Sequence, residues 1–493
     1  MADKKDNSKE TQYKPPKGKK TRHEIQLPEA QVAYTARADW LILRSQDKPK
    51  AEMFYVSYVA RGQESADRPV TFVFNGGPGA SSAYLHVGAL GPNRVLFNED
   101  GSAPKPPVRL LENQESWLAF TDLVFIDPIG TGFSRMVEQD KKDEKAAADQ
   151  GKSKEFYQLK RDLESLGEFI QKYLSLTKRW DSPVFIAGES YGGFRVGKLS
   201  RLLQEGYGVG LNGAILISPA LEWMLLDPSD YDVLHWVDLF PSMAMAARHH
   251  GKSRITAESD AQCRALAEAF AVNQYAVSLV QGERMPAPDR QAIYEEIAAF
   301  LGLSVNTVTL HSGRIPFHVF CRGLLKDSRE VCGFYDATIR AVDPFPDRET
   351  HQAPDPTLYA IERLFAGGIN TQLRKHLQLE TTRDYALLSM EVNSSWQVDT
   401  QNHAFERQVG ATDDMRYAMS LNPHMNLFIT HGLYDLVTPY FSTDRLLEHM
   451  KLTQQQRERI TVQHYRGGHM FYAWEESRRA FTRAMESFYH RSM

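Results

Sequence analysis

Cysteine is nearly absent: the 493-residue chain holds three, Cys263, Cys321 and Cys332. That is too few for a disulfide framework, and no pair has the C-x-x-C spacing of a structural metal site. A Cys321–Cys332 bridge stays open, with free thiols the expectation for a chain that begins without a secretory leader. No run of about 18 or more apolar residues occurs, which removes a transmembrane helix. Neither sign of charge prevails, since 58 Lys and Arg against 62 Asp and Glu leave a formal charge of −4. So balanced a chain offers no ground for a nucleic-acid partner or a membrane surface. Phosphate-cradling glycine patterns are missing too, so no nucleotide cofactor is expected.

The opening "MADKKDNSKETQYKPPKGKKTRHE" has lysines but no apolar segment behind them, which is not the build of a signal peptide. The expectation is a disordered basic tail over residues 1–23 and a cytoplasmic protein. A second charged stretch, residues 138–155, reads as a surface loop or weak helix.

What the sequence does contain is a repeated alternation of short apolar runs with longer amphipathic ones. "MFYVSYVA" (53–60), "PVTFVF" (69–74), "LVFID" (123–127), "PVFIAG" (183–188) and "GAILIS" (213–218) are apolar almost throughout, as strands buried on both faces are. Between two of them "EFYQLKRDLESLGEFIQKYLSLT" spaces its Leu, Phe and Ile as a helix does. Strand, helix, strand implies an α/β fold with a mostly parallel central sheet. From 221 to 423 the strand signal gives way to Ala-, Leu- and Met-rich helical segments. "MNLFITHG" and "RITVQHYRGG" then restore it, and a closing helix follows. The expected organisation is one α/β core, residues 24–220 and 424–493, interrupted by a helical insertion at 221–423.

Gly188-Glu189-Ser190-Tyr191-Gly192 fits G-x-S-x-G directly after a strand pattern. A strand-to-helix turn this sharp has no room for Cβ atoms beside the serine, which is pushed out at the carboxyl edge of the sheet. There the Tyr191 N–H is placed to meet an oxyanion. Taken alone, the pentapeptide fits a helix-capping serine equally well. A serine needs a histidine to take its proton, and the histidine needs a carboxylate to hold its tautomer. In this chain order, Asp435 in "FITHGLYDLVTP" and His469 in "VQHYRGGHMFY" each follow a strand. Asp127 in "VFIDPIGTGFS" is the rival acid, demoted because it precedes the serine. The glycine loop "FVFNGGPGASS" (72–82) is the expected source of a second oxyanion donor.

Four blocks, "NGGPGASS", "DPIGTGFS", "GESYGG" and "GGHM", resemble those of the serine carboxypeptidases, peptidase family S10; "ENQESW" and Asp162 also fit. Weaker agreement runs over 54–221 and 426–488, and the insertion is similar to that of bacterial members. The resemblance implies an α/β-hydrolase fold with a helical cap and a Ser190, Asp435, His469 triad. It implies Gly77 and Tyr191 as oxyanion donors, and Asn75, Gly76 and Glu189 as the site for a substrate's terminal carboxylate. A glutamate facing a carboxylate is tolerated only when one of them carries a proton, so Glu189 should titrate high. Two positions depart from the pattern. Ala89 stands where a second glutamate is frequent, leaving His86, Arg314 or Arg322 as candidates to compensate, whereas Arg195 is expected in a structural ion pair. Ala80 stands where a disulfide cysteine is usual.

The expected function is a serine carboxypeptidase-like hydrolase that releases C-terminal residues through an acyl-enzyme, with no metal or organic cofactor. Its substrate would be a peptide or small acyl compound, with no nucleic-acid or membrane partner and a homodimer left open. A serine esterase, amidase or acyltransferase on the same fold is the alternative, and a non-catalytic binding protein the third reading.

Overall fold

In the apolar runs, alternate side chains go to opposite faces of one sheet, and each face builds its own core. The computed structural model describes residues 13–64, 66–137, 152–226, 229–348, 355–398 and 409–493. Its strands along the chain are β1 (Lys19–Gln26), β2 (Gln31–Ser45), β3 (Lys48–Ala60), β4 (Val70–Phe74), β5 (Asn93–Val95), β6 (Leu110–Glu112) and β7 (Asp122–Ile126). They continue as β8 (Arg135–Met136), β9 (Val184–Glu189), β10 (Gly213–Ile217), β11 (Glu330–Cys332), β12 (Arg340–Val342), β13 (Asn426–Thr430) and β14 (Ile460–Val462). The main sheet runs β1-β2-β3-β7-β4-β9-β10-β13-β14, with β8 beside β3. From β7 to β14 neighbours pair in parallel, while β1, β2 and β3 extend the sheet antiparallel.

The period of two partitions the core. Phe185 and Ala187 of β9 and Ile215 and Ile217 of β10 join one cluster, with Phe481, Met485, Phe488 and Tyr489 of the C-terminal helix Glu475–Ser492. Val184, Ile186, Ala214 and Leu216 join the other, under helices Leu159–Thr177 and Tyr191–Gly206. Helices on both faces of a largely parallel sheet are the layers of an α/β-hydrolase fold.

Three expected boundaries shift. Residues 19–23, expected in a disordered tail, belong to β1, which pairs with β2 from Lys19↔Ala38 to Gln26↔Gln31 and buries Ile25. The strand lies at the sheet edge with its lysines outward, so its sequence looks like a solvated tail. Residues 1–12 of that tail and 138–151 of the second charged stretch lie outside the described residues. The 221–423 insertion divides in two. Helices Leu234–His249, Asp260–Phe270 and Ala287–Leu301 surround a third core that takes in Tyr434 and Leu436, the neighbours of Asp435. Helix Pro356–Asn370 instead places Ile361, Leu364 and Phe365 in the first sheet core. The strap after it bridges Gly132 through Ala386 and Ala80 through Leu388. Helix Thr412–Leu421 also belongs to the α/β body, since Met415, Ala418 and Met419 pack in the second core.

The three cysteines are buried free thiols. Among the described residues no helix is long and apolar enough to cross a membrane.

Candidate active site

β9 ends at Glu189 and the next helix begins at Tyr191, so Ser190 alone makes the turn, at φ 62° and ψ −126°. That backbone costs a non-glycine residue about 1–3 kcal/mol and is held by the surroundings. Ser190 N donates to Ile217 O at 2.9 Å, while Ser190 O accepts from Gly193 N at 2.9 Å. A Cβ on Gly188 would sit 2.2 Å from Gly192 O, and one on Gly192 would sit 2.6 Å from Phe74 O, so only glycine lets the elbow close. The Ser190 side chain makes no capping hydrogen bond. The capping reading therefore fails, and the hydroxyl lines the cleft.

Asp435 and His469 follow β13 and β14, and both are buried. Asp435 Oδ2 lies 2.7 Å from His469 Nδ1, and its Oδ1 accepts from Val437 N at 2.8 Å and Thr438 N at 3.1 Å. This fixes the proton of His469 on Nδ1 and leaves Nε2 as the acceptor toward the cleft, which His469 shares with Ser190. Burial opposes the imidazolium, but the charge and hydrogen bond of Asp435, with the charge of Glu189, outweigh it and raise the His469 pKa. Asp127 sits apart from His469: its Oδ1 accepts from Ser82 N at 2.9 Å and from the Tyr385 hydroxyl at 3.1 Å.

Asn75, Gly76 and Gly77 leave β4 beside the elbow. A Cβ on Gly76 would lie 2.5 Å from Tyr191 N, so a glycine is what allows the two chains to meet. Among the described residues neither Gly77 N nor Tyr191 N donates to a protein acceptor; Tyr191 follows Ser190 in the chain, and Gly77 lines the cleft with it. Asn75 Oδ1 accepts from Leu85 N at 3.0 Å and its Nδ2 donates to Glu189 Oε1 at 3.0 Å. Behind them Arg195 is paired with Asp162 and donates to Asn75 O at 2.7 Å.

The cleft has about 450 Å³ of empty space, lined by Asn75, Gly76, Glu189, Ser190 and His469 on one side and by apolar groups such as Leu358 and Leu388 on the other. Burial pushes the Glu189 carboxyl up to about 7, with Asp435 adding to the rise and His469, Tyr472 and Asn75 opposing it. Among the described residues nothing cationic other than His469 lines the cleft. His86 is buried against Tyr58, its hydroxyl 2.7 Å from His86 Nε2, and burial lowers its pKa to about 3. Arg322 pairs with Asp343 at 3.4 Å, and Arg314 reaches Leu279 O at 3.5 Å. None of the three expected substitutes for a second glutamate enters the site.

Residues 28–485 match the family model described as "Serine carboxypeptidase". The chain belongs to the serine carboxypeptidase family. It is 35% identical to the pheromone-processing carboxypeptidase KEX1 of Saccharomyces cerevisiae over 155 residues, 30% of this chain and 19% of that protein. It is 31% identical to serine carboxypeptidase-like 35 of Arabidopsis thaliana over 180 residues, 35% of this chain and 32% of that protein. The chain thus spans from about a fifth to about a third of the length of these curated relatives. The crystal structure of Kex1Δp, a prohormone-processing carboxypeptidase from Saccharomyces cerevisiae, superimposes with a TM-score of 0.54 at 15% identity, over 93% of this chain and 91% of that one. At that identity the likeness concerns the fold.

Within the serine carboxypeptidase frame, several supporting residues were missed in the sequence. The Thr438 hydroxyl lies 2.7 Å from Asp435 Oδ2, 3.0 Å from Ser218 O and 3.1 Å from His469 Nδ1. Asp336, from the insertion, accepts from Gly468 N at 2.9 Å and from Trp474 Nε1 at 3.1 Å, bracing the loop that carries His469. Tyr335 supplies the carbonyl that receives His469 N at 2.5 Å. A threonine three residues after an acid is a signal available for Thr438; Asp336 and Tyr335 have none, because they are more than 100 residues from the loop they brace.

Proposed function

We propose that the protein is a serine carboxypeptidase acting on peptides with a free C-terminal carboxylate. Ser190 Oγ attacks the carbonyl of the last peptide bond while His469 Nε2 takes its proton, and Asp435 stabilises the imidazolium. The N–H groups of Gly77 and Tyr191 receive the tetrahedral oxygen, each donor contributing about 3 kcal/mol. His469 returns the proton to the leaving nitrogen, the C-terminal amino acid departs, and water repeats the sequence on the acyl-enzyme. Asn75, Gly76 and Glu189 hold the terminal carboxylate.

The observation that carries this reading is Glu189. It is a carboxyl buried next to the nucleophile, held by Asn75 and raised to about 7, hence uncharged in acid and able to accept an anionic neighbour. The test compares N-blocked dipeptides as free acids and as C-terminal amides between pH 4 and 8, with Ser190→Ala as control. Preferential release from the acids is expected. Equal cleavage of acids and amides would replace the reading with a general esterase or amidase.

A further inference from the structure

A buried polar atom without a partner calls for an explanation, and beside a cleft a substrate group is one. Three such atoms converge on the carboxylate end of the cleft: Glu189 Oε2, the Tyr84 hydroxyl and the Tyr472 hydroxyl. Tyr84 and Glu189 line the cleft. Tyr472 stands behind Glu189, close enough to restrain the rise of its pKa, although the two do not meet hydrogen-bond geometry. The ring of Tyr472 is there because the segment opposite is small. A Cβ on Gly88 would lie 2.9 Å from Tyr472 Cε2, and Ala89 beside it brings no polar group. Glu189 Oε1 is already occupied by Asn75, so Oε2 is the oxygen left to face a substrate.

We propose that the Tyr84 hydroxyl is a second donor to the substrate's terminal carboxylate, paired with Glu189 Oε2, and that Tyr472 is the positioning residue for Glu189. This rests on the carboxypeptidase reading above. A carboxylate accepts only, and each of its oxygens needs a donor. Protonated Glu189 supplies one through Oε2, with the Tyr472 hydroxyl beside the carboxyl. Tyr84 supplies another, and burial keeps its phenol protonated through the neutral range. The charged or titratable groups facing Tyr84 are Glu362, Tyr335, Glu189, Tyr472 and Tyr385, while His469, Asp435, Tyr472, Tyr84 and Tyr335 face Glu189. With no Lys or Arg among the described residues that line the cleft, the site reads a carboxylate through neutral donors, and it discriminates against an amide because an amide NH2 would meet donors.

The test is steady-state kinetics on matched free-acid and amide dipeptides with wild type, Tyr84→Phe and Tyr472→Phe, with thermal unfolding as a control for the fold. Tyr84→Phe should raise KM for the acid about ten- to a hundredfold and relieve the clash with an amide NH2, so that the acid preference falls. Tyr472→Phe should move the pH at which the acid's KM climbs upward, because Glu189 loses a neighbour that holds its pKa down. A wild type without acid preference overturns the carboxypeptidase reading and this one with it. A wild type with acid preference that Tyr84→Phe retains overturns the Tyr84 role alone, and an unmoved pH profile in Tyr472→Phe overturns the positioning role.

Discussion

Arg195 and Asp162 lock together beneath the nucleophile, Nε to Oδ2 at 2.8 Å and Nη2 to Oδ1 at 2.9 Å, and the third arm of the guanidinium, Nη1, holds the Asn75 carbonyl at 2.7 Å. Both side chains are buried, so removing one leaves a charge without its partner, at a cost of about 3–5 kcal/mol. Arg195→Met or Asp162→Leu alone should therefore lower thermal stability sharply. The double replacement should recover most of that loss while kcat stays low, because Asn75 O has still lost its donor. Calorimetry and kcat on the three variants separate the two effects. A double variant with wild-type kcat would remove Arg195 from the support of the site.

Asp435→Asn keeps the shape of the acid and offers an amide to His469 Nδ1. If the amide turns its N–H toward the ring, the imidazole carries its proton on Nε2 and can no longer accept from Ser190. A fall in kcat of about ten-thousandfold is expected, with substrate KM little changed. Thr438→Val removes only a hydroxyl beside the same pair, and about a tenfold loss is expected. Labelling of Ser190 by an active-site phosphonate should slow in the same order. Equal rates for Asp435→Asn and wild type would exclude Asp435 as the acid.

For Glu189 the sign of the pH effect is set by a pKa raised from 4.5 to about 7. Below about pH 7 the carboxyl is neutral and tolerates a substrate carboxylate; above it the two anions repel. KM for free-acid substrates should be flat in acid and then climb about tenfold per pH unit, whereas amides show no such limb. Glu189→Gln should abolish the climb. His469 must be neutral to act as a base, so kcat/KM also falls in acid. Because each group shifts the other, the two limbs report apparent values of a coupled pair.

Asp127 is the stability counterpart. Burial raises its pKa from 3.8 to about 7, with Ser82, Tyr385 and Phe133 opposing the rise. The folded state thus holds a proton that the unfolded chain has released. The associated stability is fully present below about pH 4 and is lost as pH rises through about 7. Asp127→Asn mimics the neutral form and keeps the acceptor for Ser82 N. Relative to wild type it should gain on the order of 3 kcal/mol between pH 5 and pH 8 in urea unfolding. A pH-independent difference would mean that Asp127 ionises in the folded protein at its ordinary value, with no raised pKa to link to stability.

The parts of the site that were legible in the sequence are those that a few consecutive residues specify. Glycines two positions either side of Ser190 mark an elbow, since a Cβ there meets backbone, and the apolar runs of β4, β7, β9 and β10 mark strands covered on both faces. Asp435 and His469 were singled out by chain order after later strands, and the structure brings them within 2.7 Å of each other. β1 was not found, because an edge strand needs only one buried residue, Ile25, to be worth forming. The division of the insertion was not found either, since helices Leu234–His249 and Pro356–Asn370 are both apolar and differ only in which core receives them.

The sequence by itself determined the α/β architecture, the elbow at Ser190 and the residue types of the triad, because each depends on local backbone geometry or on burial period. Chain order favoured Asp435 over Asp127, but only the tertiary structure brings Asp435 Oδ2 to 2.7 Å from His469 Nδ1. It alone decided that Asp336 and Thr438 brace that pair, and that Tyr84 and Tyr472 gather around Glu189 where Ala89 offers nothing. These relations join residues tens to hundreds of positions apart. Their energies come from desolvation and directed hydrogen bonds, which exist only once the chain has closed around them.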